Sequence, residues 1–315
     1  MPRAKKSKAF SVTRFRTPAQ VAALRRAALH ALAAIALIAS AFAGVWVLRR
    51  HVDKDVVYLN AAPRIVLKDR PIWMSDYLAE QIVASAQPLG AHSAFDHQLL
   101  VTVNDAIRFN PWVRKVRQIR RAYSKAPGDT IEVDCEFRTP LALVHWQDYY
   151  WLVDGEGVKL PEQFTAAQLP RIVNGRDNRL NIRIIEGVRQ APVESGARWP
   201  GDDLAAGLEL ARYLHGQKFA EEIVCINVAN FAGRQSLKDA QLTLITKRRS
   251  EIRWGRPVSA KDFFVEISTA QKLELLARVF AQYGRVDAGQ PWIDIRFDKI
   301  TYPSGAPQAN ADAGR

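Results

Sequence analysis

Apolar positions along this chain change their spacing several times, and each change predicts a different element. From Ala27 to Leu48 the sequence AALHALAAIALIASAFAGVWVL runs 22 residues without a formally charged side chain, between Arg25–Arg26 and Arg49–Arg50. As a helix it spans about 33 Å, enough for a hydrocarbon core of about 30 Å. A polar linker is expected over 49–62, then a short strand at Arg64–Lys68 ended by Asp69-Arg70-Pro71. Ser75 can cap a helix with Met74, Leu78 and Ile82 on one stripe, broken by Gln87-Pro88-Leu89-Gly90. A second helix is expected over Asp96–Phe109, with Leu99, Val103 and Ile107 inward and Pro111 forcing the exit. Val113, Val116 and Ile119 then recur every third residue, which suits neither a regular strand nor a helix. Thr130–Arg138 alternates cleanly, with Ile131, Val133, Cys135 and Phe137 on one face, as a half-buried strand does.

Beyond residue 142 strands predominate. Leu143–Trp146 and Tyr149–Val153 are expected strands, with a turn at Asp154-Gly155-Glu156-Gly157 before Val158–Leu160. A helix over Asp202–Leu214 precedes strands near Ile223–Val228, Gln241–Thr246 and Glu251–Trp254. Ser268 and Gln271 form a capping box for a helix with Leu273, Leu276, Ala277 and Phe280 on one face, stopped by Gly284. Trp292–Asp298 reads as the last strand, with Ile293, Ile295 and Phe297 inward and Asp294, Arg296 and Asp298 outward. Its spacing continues through Lys299, Ile300, Thr301 and Tyr302 to Pro303, where a disordered tail is expected to begin. The predicted class is α+β: a basic tail (1–26), a membrane helix (27–48), a linker (49–62), a β-α-α-β-β unit (63–141), a strand-rich unit with flanking helices (142–302) and a tail (303–315).

Charge sharpens the reading of the first segment. The chain has 315 residues and a formal net charge of +13. Residues 1–26 carry eight Lys or Arg and no acid, which leaves 37 basic against 32 acidic side chains elsewhere. A basic flank at a membrane explains that distribution better than a nucleic-acid-binding core, so no nucleic acid is expected as a partner. The basic flank also predicts a cytoplasmic N-terminus, with the bulk on the far side of the membrane. A cleaved signal peptide competes, because Ala41-Phe42-Ala43 has the A-x-A form. The long basic region and the 22-residue apolar run favour a retained anchor.

Motifs in the body of the chain point to one family. Asn110-Pro111-Trp112-Val113-Arg114-Lys115-Val116 resembles the "PWV" signature of the POTRA domain in FtsQ/DivIB cell-division proteins. The run from Thr130 into Arg138-Thr139-Pro140-Leu141-Ala142 looks like that family's "E-x-x-P-x-A" exit. Leu152–Gly157 is similar to its "LVD-x-x-G" hairpin, and Leu169-Pro170 to its "LP" segment. Glu251–Arg256 resembles its "L-x-L-G-R" strand, and Ile293–Phe297 its closing "D-x-R-Y" strand. Relative to the family the chain carries one extra residue between Val116 and Tyr123, which a β-bulge would absorb.

The resemblance implies a non-enzymatic scaffold in the bacterial inner membrane, single-pass and type II, at the division septum. Implied partners are bitopic coiled-coil division proteins of the FtsB/FtsL type and the septal peptidoglycan synthase complex, besides membrane lipid. It places partner binding on the terminal region, giving Asp294, Arg296, Phe297, Asp298, Lys299, Ile300, Thr301 and Tyr302 as the candidate surface. A final strand at a sheet edge can accept a partner strand through main-chain hydrogen bonds. The competing reading is an edge merely capped by the tail after Pro303. Other functional readings are a POTRA protein of envelope transport or assembly, and a membrane-tethered hydrolase.

Candidate chemistry is sparse. No H-E-x-x-H, G-x-S-x-G or Walker-type G-x-x-x-x-G-K-[ST] occurs. His92, Asp96 and His97 make a weak metal set, and Asp154–Gly157 fits a hairpin turn better than a calcium loop. No metal, cofactor or catalytic residue is therefore assigned. The basic run Arg114, Lys115, Arg117, Arg120 and Arg121 fits a solvated strand face beside anionic lipid. Trp112 is expected to anchor the helix–strand corner. Cys135 and Cys225 read as small buried hydrophobes that do not pair.

Overall fold

The computed structural model describes residues 18–58, 62–90, 92, 96–122, 129–173, 180–260 and 266–303. The basic tail before residue 18, the turn at 123–128 and the C-terminal tail from 304 lie outside the described residues.

Helix α1 runs from Pro18 to Tyr58. Its stretch Val21–His51 has a mean hydropathy of 2.3 and is not buried, so among the described residues one helix is long and apolar enough to cross a membrane. The linker expected over 49–62 is helical as far as Tyr58. Arg49–Tyr58 contains no Gly or Pro, and an established helix adds one hydrogen bond per residue fixed, so polar composition alone does not stop it.

A three-stranded sheet follows, built from β1 (Arg64–Leu67), α2 (Asp76–Ala86), α3 (His97–Arg108), β2 (Val113–Ala122) and β3 (Thr130–Phe137), in strand order β1-β3-β2. β1 pairs with β3 in parallel and β2 with β3 antiparallel. The Ser75 hydroxyl caps α2 by accepting the Leu78 N–H at 3.2 Å. Ile82 of α2 and Leu99, Val103 and Ile107 of α3 pack against Ile65, Ile131 and Val133. The three-residue period in β2 has a physical cause. The register slips between Val113 and Lys115 and again between Val116 and Gln118, two bulges within one strand. Each bulge inserts a residue, so Val113, Val116 and Ile119 stay inward while Arg114, Arg117 and Arg120 stay outward.

The eight-stranded sheet has the order β11-β10-β9-β8-β7-β4-β5-β6. Its elements are β4 (Pro140–Trp146), β5 (Tyr149–Asp154), β6 (Lys159–Thr165), the short α4 (Leu169–Val173), β7 (Arg183–Glu186), α5 (Asp202–Leu214), β8 (Ile223–Asn227), β9 (Leu242–Thr246), β10 (Glu251–Gly255), α6 (Thr269–Tyr283) and β11 (Trp292–Asp294). One face meets α5 and α6, burying Val144, Ile185, Ile226, Leu244 and Ile252 with Leu204, Ala211, Leu214 and Leu276. Gly207 lets α5 approach closely, since a Cβ there would press on Ile185 and Val228.

On the other face Leu143, Leu152 and Leu160 join the core that holds Ile131, Val133 and Trp112, so one apolar cluster runs from the small sheet into the large one. Trp112 is 6 % exposed. Its ring lies 5.9 Å from that of Trp73, and its side chain is hydrogen-bonded to Glu162 of β6. Cys135 and Cys225 are both buried free thiols. Burial pushes the Cys135 thiol up to about 12 and, with the Glu186 carboxylate beside it, raises that of Cys225 too.

One strand was not expected, and two further sequence expectations change. β7 lies at the centre of the large sheet, between β4 and β8, yet its four residues carry too short a pattern to be read as a strand. On α6 the expected Leu276 is buried and Leu273 and Phe280 pack against the core, but Ala277 is exposed and the most buried stripe is Lys272, Leu275, Leu276 and Val279. The last strand ends at Asp294 rather than Asp298.

Candidate interaction edge

The two outer strands of the large sheet, β6 and β11, differ in how they meet solvent. The start of β6 is covered: the Lys159 N–H donates to the Ala197 carbonyl at 3.0 Å, and the Gly196 N–H to the Lys159 carbonyl at 2.8 Å. Pro161 then interrupts its donors. The β11 edge is built differently.

Its foundation is β10. Trp254 bulges against β9, and Gly255 follows at φ +98°, in the left-handed region. A side chain at Gly255 would also collide with the Glu266 carboxylate. That carboxylate accepts the Arg256 N–H at 3.0 Å and the Lys272 ammonium at 2.6 Å, while Lys272 Nζ also donates to the Trp254 carbonyl at 2.7 Å. Burial lowers the Lys272 ammonium, and Glu266 opposes that shift. The Gly-Arg pair noted in the sequence thus marks a backbone turn held by a buried ion pair. Glu266 and Lys272 carried no sequence signal, because neither lies in a motif.

β11 pairs with β10 in parallel, and the Ile295 N–H continues that ladder to the Arg253 carbonyl at 3.2 Å. The chain then bends over 296–299 and returns. Thr301 pairs antiparallel with Asp294, accepting its N–H at 2.9 Å and donating in return at 3.0 Å. Asp294 and Arg296 do not point outward as the alternation implied. The Arg296 guanidinium grips Asp294 through Nε at 3.1 Å and Nη2 at 2.7 Å, with side chains only 17 % and 6 % exposed. Arg296 Nη1 also donates to the Lys238 carbonyl at 2.9 Å, and its own carbonyl accepts the Ile267 N–H at 3.0 Å. The hydrogen bond to Asp294 raises the Arg296 guanidinium further. This pairing makes the bend, since Asp294 Oδ1 also accepts the Arg296 N–H at 3.1 Å.

Phe297, expected inward, is exposed at the bend with Asp298 and Lys299, and the Arg296 guanidinium lies 5.4 Å from its ring. Ile300 and Tyr302 pack against the core under α5 and α6. Because Thr301 exchanges both bonds with Asp294, the N–H and C=O of Ile300 and Tyr302 point away from the sheet. Among the described residues no backbone hydrogen bond uses them. The eight candidate residues therefore form one continuous feature, with Asp294 and Arg296 as its internal clamp. The exposed outer border is the return segment.

The other sequence candidates lie elsewhere. Arg114, Arg117 and Arg120 pair with Glu136, Asp134 and Glu132 of β3, so the basic run is largely neutralised in place. Asp154 uses Oδ1 for the N–H groups of Glu156 and Val158, each at 2.8 Å, and Oδ2 for Arg138 at 2.7 Å, as a hairpin turn requires. His92 lies 3.2 Å from Asp96 and 3.1 Å from the Leu89 carbonyl. Among the described residues no three His, Cys, Asp or Glu side chains converge.

Compared with known proteins, the chain matches no protein-family model and no curated protein sequence.

Proposed function

We propose that the chain is a non-enzymatic bitopic scaffold of the FtsQ/DivIB type, which binds coiled-coil partners of the FtsB/FtsL type at the division septum. The N-terminal helix supports a membrane anchor, and the positive flank before it supports a cytoplasmic N-terminus. The order β1-α2-α3-β2-β3 followed by a large mixed sheet supports the two-part organisation, with the small sheet read as a POTRA unit. The observation that carries the reading is the return segment 300–302. It closes the β11 edge on one side and leaves main-chain donors and acceptors open on the other, where an extended partner segment can add as a further strand.

Thr301 is the wrong place to test this, since its N–H already serves Asp294. Tyr302→Pro removes an outward donor and leaves the clamp intact. In the full-length chain this variant should fold, stay in the membrane and lose capture of the coiled-coil partners. Wild-type capture would move the binding surface elsewhere, and a uniform envelope signal for the tagged wild-type chain would contradict the septal role.

A further inference from the structure

Away from the β11 edge, the β3–β4 connection and the turn between β5 and β6 border a cavity of about 550 Å³. Phe137, Pro140, Leu141 and Leu180 supply its apolar lining. Its charged lining is Arg114, Arg138 and Arg212, against Asp154 and Glu156, with the His215 imidazole beside them. The two acids are already engaged. Asp154 is buried and bound to Arg138, while Glu156 bridges Arg114 and Arg138. That arrangement shows the rim receiving a carboxylate, because two guanidinium groups converge on a Glu156 side chain that is 49 % exposed.

Arg212 and His215 remain. They stand three residues apart at the end of α5, both exposed and with no acidic partner among the described residues. A cation in the last turn of a helix complements its dipole. That role does not account for an unpaired guanidinium and an imidazole set beside an apolar lining. The hollow also continues past the turn. A second cavity of about 610 Å³ shares Gly155, Glu156 and Arg212 with the first and is lined further by Arg198, Trp199 and Ala205, with Asp202 at its far side. Two adjoining hollows suit a peptide segment better than a small anion. In the groove between β1 and α2, Arg70 is already paired with Asp76 at 2.7 Å.

We infer that this groove seats an acidic amphipathic segment of a partner protein, with apolar side chains on Phe137, Leu141 and Leu180 and carboxylates on Arg212 and His215. Charge complementarity decides the sign of the partner, and the apolar lining excludes a purely ionic contact. The site is separate from the β11 edge and stands whether or not that edge binds a strand.

The test uses the full-length chain in detergent micelles and a fluorescent peptide of alternating leucine and glutamate, with its leucine–lysine counterpart as control. Binding is read by anisotropy at low and high salt. The acidic peptide should bind, the lysine peptide should not, and the double variant Arg212→Glu with His215→Glu should weaken binding about tenfold or more. Tyr302→Pro should leave that affinity unchanged. Both substituted side chains are exposed, so melting should match wild type. Were the double variant to unfold, Arg212→Gln with His215→Gln carries the same test with a smaller loss. Equal binding of both peptides, or wild-type affinity in the variants, overturns the proposal. So does a variant that keeps the peptide but loses adhesion to anionic vesicles, or loses self-association in sedimentation, since the face would then serve lipid or a second copy.

Discussion

β2 and β11 both border a sheet, and they guard it by opposite means. β2 is ten residues long and exposed, with a row of arginines, features that suggest an open binding edge. Two bulges break its register, and its outward arginines are tied to β3 acids. Bulges and charges of this kind discourage edge-to-edge pairing. β11 is three residues long and its Ile293 and Asp294 are buried. Its own chain folds back to cover it and then presents a new border at 300–302. Length and charge are therefore poor guides to which edge is available. Register and self-pairing decide it.

The largest effect that would break this contrast comes from the clamp. Asp294→Ala leaves a mostly buried guanidinium without its carboxylate, which costs about 3 kcal/mol. Denaturation of the full-length chain in micelles should show that loss, with partner capture falling alongside it. A change under 1 kcal/mol would mean that Arg296 finds another partner and that the bend does not depend on the pair.

A smaller effect sharpens the comparison by asking what supports β11 from below. Asp287 is fully buried in the loop that leads to it. Burial raises its carboxyl, but Arg285, Ser250 and the Gly289 N–H outweigh that and hold it below the usual range. A carboxyl depressed in the folded state contributes stability above its unfolded value of about 3.9 and loses it as pH falls through the folded value. Acid unfolding should therefore be steeper below about pH 4 in the wild type than in Asp287→Asn. Parallel acid limbs would show that the loop does not depend on this ionisation.

The smallest effect belongs to β2. Arg120→Ala removes a pair with Glu132 at 2.8 Å, but Arg120 is 56 % exposed. The loss should stay below about 0.5 kcal/mol and shrink in high salt. A loss as large as that of Asp294→Ala would erase the distinction between a screened edge and a buried clamp.

Where local signals agreed, the sequence was readable. The capping box of Ser268 and Gln271 and the stop at Gly284 define α6, with the Ser268 side chain accepting the Gln271 N–H at 3.4 Å and Gly284 left-handed. The inward stripe of α3 and the alternation of β3 likewise need only their own residues. The candidate edge was half legible. A strand near the C-terminus followed from the pattern of Trp292–Tyr302, and its place at a sheet border was the expectation for a final strand. The bend did not, because Ile295 and Phe297 continue the alternation while the Asp294–Arg296 pair turns the backbone.

By itself, then, the sequence determined the apolar span, the helix caps and the two-residue period of the regular strands. These depend on neighbours a few positions away, through hydrogen bonds and side chains that the local chain supplies. Only the tertiary structure decided the three-residue period of β2, the central place of β7, the inward turn of Lys272 and the return at Thr301. Each of those depends on a partner distant in sequence: β3 acids facing β2, β4 and β8 flanking β7, the Trp254 carbonyl with Glu266 holding Lys272, and a buried carboxylate that draws Arg296 out of the strand.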